Sequence, residues 1–135
     1  MMKRMFLLAF VAVSVLSLAG CANQLSVQAG ETFTIGVGDS ARISGEDMKI
    51  TFNEVIGDNR CPQNVFCIWA GVASSKVTIE YLGKNYVLVL NEPGLTDHAD
   101  ETFIGYTLTY SLNPYPREGE QIAPKDYRLT MTVSK

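Results

Sequence analysis

The chain has 135 residues, a formal net charge of −3, a single histidine and three cysteines. That length allows one domain plus a targeting segment. An acidic balance with no basic cluster speaks against nucleic acid as a partner.

Met1–Arg4 is short and basic, Met5–Leu16 is apolar except for Ser14, and small residues lead to Cys21. This is the layout of an export signal. The apolar run is shorter than the roughly 20 residues a membrane-spanning helix needs. Leu18-Ala19-Gly20-Cys21 closely resembles the lipobox of bacterial lipoproteins. The resemblance implies that residues 1–20 are a removable signal peptide and that Cys21 carries a diacylglycerol on its sulfur, with a palmitate-type lipid anchor. Ala22 after the cysteine resembles lipoproteins sent to the outer membrane where the host has two membranes. Cleavage would remove Lys3 and Arg4, leaving 9 basic and 14 acidic residues, a net −5. Attachment would then come from acyl chains rather than charge, at about 0.8 kcal/mol per buried CH₂. The expected location is exported and anchored to a membrane of the cell envelope.

Residues 21–30 are small and polar and read as a lipidated tether; residues 31–135 read as the folded domain. From Thr32 the pattern has period 2, the mark of half-buried strands. Phe33, Ile35 and Val37 alternate with Thr32, Thr34 and Gly36; Met48, Ile50 and Phe52 alternate with Lys49, Thr51 and Asn53. Gly38-Asp39-Ser40 and Ser44–Asp47 are turn signals. The alternation breaks at Glu54-Val55-Ile56, which predicts a bulge or strand end. The stretch Cys67–Ala73 is apolar on both faces and predicts a central strand, with Trp69 beside Cys67 as a core anchor and Gly71 leaving room for a neighbouring aromatic.

A two-residue turn at Gly83-Lys84 would pair Tyr81 with Tyr86, Ile79 with Leu88 and Val77 with Leu90, apolar against apolar. Thr96–Thr102 reads as a polar, acidic loop. Tyr106–Leu112 and Tyr127–Val133 read as strands, separated by the stiff Asn113-Pro114-Tyr115-Pro116. No stretch has helical spacing with caps. About seven strands between turns predict an all-β fold: a single antiparallel β-sandwich or small barrel.

Cys61 and Cys67 lie in an exported chain, so a disulfide is expected. C-x₅-C fits zinc spacing poorly, and C-x-x-C is absent. Arg60 is expected at the loop's mouth, bonded to loop carbonyls or to Asp58. No catalytic set suggests itself: His98 is the only base for a nucleophile, and Glu46-Asp47 reads as a solvated turn. Asp97-His98-Ala99-Asp100-Glu101 reads as a solvated acidic loop matching no Ca²⁺ pattern. No cofactor or metal is called for. The tyrosines fall mostly on alternating strand positions, as core or sheet face, with Tyr115 expected near the surface.

Asp58-x-Arg60-Cys61-Pro62-x₄-Cys67-x-Trp69-x-Gly71, with the later Pro114-Tyr115-Pro116, resembles the signature of a family of small exported lipoproteins of bacteria and archaea. Asn59 stands where serine is expected. That family has no assigned activity, so the resemblance implies export, disulfide and β-fold but no reaction. Two functional readings follow. One is a non-catalytic, lipid-anchored envelope β-domain that binds a partner or has a structural role. The other is a protease inhibitor or ligand-capture module presenting the Cys61–Cys67 loop, with Val65 and Phe66 as anchors. A buried Phe66 favours the first, and Phe66 in solvent beside Val65 favours the second.

Overall fold

A computed structural model describes residues 23–135; the expected signal peptide, residues 1–20, and the expected lipid-attachment residue Cys21 lie outside the described residues. The expected period-2 segments and two short edge strands make nine strands where about seven are expected: β1 (Gln24–Gln28), β2 (Thr32–Gly36), β3 (Ser40–Ser44), β4 (Met48–Asp58), β5 (Val72–Tyr81), β6 (Lys84–Pro93), β7 (Ala99–Phe103), β8 (Tyr106–Asn113) and β9 (Arg128–Ser134). They form a β-sandwich of a five-stranded sheet, order β1-β3-β4-β5-β6, and a four-stranded sheet, order β2-β9-β8-β7. All pairs are antiparallel except β1 with β3.

The core lies where the inner faces meet. Ile43, Met48, Ile50, Phe52, Val77 and Ile79 from one sheet face Ile35, Leu108, Leu112, Leu129 and Met131 from the other, all 2% exposed or less. Each such side chain contributes about 1.5–3 kcal/mol when fully buried. Tyr106, Tyr110 and Tyr127 are buried, and Tyr81 and Tyr86 pack against the core, edge-on to Phe103 at 5.9 and 5.2 Å. The break at Glu54–Ile56 is real: the β4–β5 register slips between Phe52 and Glu54 and again between Val55 and Gly57.

Four expectations need correction. Gln24–Gln28 is not free tether but an edge strand on β3. The acidic loop ends early, because Ala99–Phe103 pairs with β8 as β7. The β5–β6 turn is Leu82-Gly83, so Ile79 faces Tyr86 and Val77 faces Leu88. Leu82 and Gly83 have φ of 49° and 78°, as a type I′ turn requires. The shift from the expected register is two residues, so every side chain keeps its face. Finally, Cys67–Gly71 is not a strand; β5 begins only at Val72.

Candidate functional site

Between β4 and β5 the chain leaves the sandwich as a loop with a laddered base. Asn59 N–H donates to the Val72 carbonyl at 3.0 Å, Cys61 N–H to Ala70 at 2.7 Å, and Val72 N–H to the Asn59 side-chain oxygen at 2.7 Å. Gly71 sits in this base with φ 74°, where a Cβ would stand 2.0 Å from the Asn59 carbonyl oxygen. Its role is close backbone approach, not room for an aromatic. Cys61 and Cys67 form the disulfide, closing the tip (S–S 2.09 Å).

Beneath the tip, Arg60 is 3% exposed. Its Nε and Nη2 donate to both oxygens of Asp58 at 2.8 Å each; Nη1 donates to the Leu112 carbonyl at 2.8 Å and Nη2 to Pro114 at 3.2 Å. The Asp58 bond is the expected one, whereas the carbonyls come from β8 and its exit rather than from the cysteine loop. Glu92 lies 3.7 Å from Nη1 and accepts the Leu112 N–H at 2.6 Å. The Tyr115 ring covers the guanidinium at 4.7 Å. Its hydroxyl donates to the Cys61 carbonyl at 2.7 Å and accepts the Leu95 N–H at 2.9 Å. Tyr115 is therefore half-buried mortar joining three loops. The two stretches that carried the family resemblance meet here.

Burial pushes the Asp58 carboxyl up, but the hydrogen bonds and charge of Arg60, with the Tyr127 hydroxyl, outweigh it and hold the group below the usual range. For Glu92 burial dominates, and its carboxyl is raised despite the Leu112 N–H and Arg60. Burial also raises the Tyr127 phenol, to about 12, with the Asp58 charge adding to it.

The tip is built differently. Phe66 is 98% exposed, Ile68 93% and Trp69 75%. Trp69 is thus no core anchor: the disulfide turns the chain outward, and no sheet face exists at that point to receive the indole. Val65 is half-buried, its N–H turned back to the Pro62 carbonyl. From Cys61 to Ser75 there is no charged residue. Leu95, on the adjoining β6–β7 loop, is also exposed. An open cavity of about 350 Å³ lies between the two loops, lined by Gln63, Glu92, Leu95, Asp97 and Tyr115 among others.

His98 is exposed and lines a shallow depression on the outer face of the four-stranded sheet with Thr32, Thr109 and Thr132. Of its acidic neighbours, Asp100 accepts from the Thr109 hydroxyl and Glu101 from the Thr102 N–H. Among the described residues no group of three or more His, Cys, Asp or Glu could hold a metal ion. Glu46 is tied by the Tyr106 hydroxyl and Lys135 at the opposite end of the sandwich. No family model, curated protein or solved structure matches the chain.

Proposed function

We propose that this protein is a lipid-anchored, non-catalytic binding module of the cell envelope that presents the Pro62–Trp69 loop to a partner. The observation that carries this is one loop with three large apolar side chains in water on a base clamped by a disulfide and a buried ion pair. Water penalises such exposure, and a stiff loop loses little further freedom on binding. Phe66 in solvent favours the second of the two readings, a ligand-capture module that presents this loop, over a structural clasp, although Val65 does not stand exposed beside it. The contact set becomes Phe66, Ile68 and Trp69, since Val65 is turned back toward its own loop. Anchoring at Cys21 would hold the module at a membrane.

A photo-crosslinking residue placed at Phe66, in cells producing the lipidated protein, tests the reading. A discrete product at Phe66 that is absent at Leu82, at the far end of the sandwich, is expected. Equal, low yields at both positions would sink the proposal.

A further inference from the structure

The direction of the loop relative to the N-terminus narrows the partner. β1 runs parallel to β3, with Gln24 level with Ser40, and β3 runs antiparallel to β4, with Ser40 opposite Thr51. The chain therefore enters β1 from the end toward which β4 runs, the end that carries the loop. Asn23 is pinned there: its carbonyl accepts the Ser40 N–H at 3.0 Å and its N–H donates to Asp39 at 3.1 Å. From Thr51, β4 continues to Asp58 before the loop begins, roughly 20 Å at about 3.3 Å per residue. Cys21 stands two residues before Asn23 and can reach only about 7 Å from it. A lipid on Cys21 would thus bring a bilayer within about 7 Å of Asn23, less than the roughly 20 Å by which the base of the loop overreaches that level, so the loop meets the lipid surface.

The chemistry of the tip suits that contact. Phe66, Ile68 and Trp69 are the three most exposed large hydrophobic residues described, and the segment from Cys61 to Ser75 brings no charge to a membrane surface. Tryptophan favours the boundary between headgroups and acyl chains. At the base Arg60 is paired with Asp58 and lies beside Glu92, and all three side chains are buried within the protein rather than presented at the tip. We infer that the loop's partner is the lipid surface itself: Phe66, Ile68 and Trp69 insert beside the Cys21 anchor and fix the domain's orientation on the bilayer. This inference rests on the reading of the loop as a binding element and on lipidation of Cys21. The acyl chains hold the protein to the membrane; the loop removes its freedom to swing.

Trp69 is the only tryptophan in the chain, so it reports its own surroundings. The experiment reconstitutes the lipidated protein in phosphatidylcholine vesicles, with and without bromine on the acyl chains. Expected are blue-shifted Trp69 emission, loss of most of that emission in brominated vesicles, protection from acrylamide, and little response to salt. Joint substitution of Phe66→Ser and Ile68→Ser should restore acrylamide access while the protein still floats with the vesicles. Emission that stays water-like and unquenched by bromine, in vesicle-bound parent protein, would overturn the inference. In that case a protein adduct from the Phe66 crosslinker leaves the loop as a binding element with a different partner. Absence of any selective adduct removes both readings.

Discussion

Arg60 and Trp69 stand on the same loop, one 3% exposed and the other 75%. At the base, donors and acceptors are matched: the guanidinium meets a bidentate carboxylate, two carbonyls and an aromatic face. At the tip, apolar groups stand in water without an intramolecular neighbour to cover them. Burial is costly for the polar base unless every bond is made. Exposure is costly for the apolar tip unless something outside the fold covers it. The contrast separates residues that hold the loop from residues available for contact.

The largest effect is expected at the base. Arg60→Ala leaves Asp58 buried without its partner and should lower stability by about 3–5 kcal/mol, as broken buried pairs do. Arg60→Lys should recover only part of this, since an ammonium cannot make the bidentate pair. Urea titration checks both. Next comes the covalent clamp. Replacing Cys61 and Cys67 together by alanine reopens a seven-residue loop, and should cost about 2 kcal/mol on the chain-entropy estimate.

The two base carboxylates should respond to pH with opposite sign. Asp58 is depressed in the fold, so its contribution is present above the ordinary carboxylate value of about 3.9 and is lost as pH falls through the folded one. Asp58→Asn should therefore be most destabilising near neutrality and converge with the parent in strong acid. Glu92 is raised, so its contribution is full below about 4.3 and is lost as pH climbs through the folded value. Relative to the parent, Glu92→Gln should then gain stability between acid and neutral pH, because glutamine can still accept the Leu112 N–H. Denaturation midpoints across that range give both slopes.

The smallest effect on stability belongs to the tip. Phe66→Ala and Ile68→Ala should stay within about 0.5 kcal/mol of the parent, as exposed substitutions do. A larger loss in the same denaturant titration would mean that these side chains pack on the domain, and the division between base and tip would fail.

Much of the sandwich is legible in the alternation, because a strand buried on one face must repeat every second residue. Phe33 and Ile35, Ile50 and Phe52, and Leu129 and Met131 all go inward as their spacing requires. Period 2 fixes faces but not register, so a turn at Leu82-Gly83 satisfies the same pattern as one at Gly83-Lys84. β1 and β7 leave no such trace, because Gln24–Gln28 and Ala99–Phe103 are edge strands with few buried residues. The disulfide is legible from two cysteines in a chain read as exported, and Asp58, two residues before Arg60, is one of the two kinds of partner its position suggests. Glu92 is not legible, since an acidic residue before Pro-Gly looks like any strand end. Trp69 misled for a different reason. Apolar character implies burial only on average, and a chain lifted out of the sheet on a laddered, disulfide-closed loop keeps its apolar run without a core to face.

The claim that the loop divides into a buried base and a free tip is tested most directly by the emission of Trp69 in an unlipidated chain beginning at Ala22, in plain buffer. The account predicts emission as red as in the unfolded chain, full access to acrylamide, and almost no spectral change through the unfolding transition. Blue-shifted, acrylamide-resistant emission that reddens only as the protein unfolds would place the indole inside the domain and contradict it.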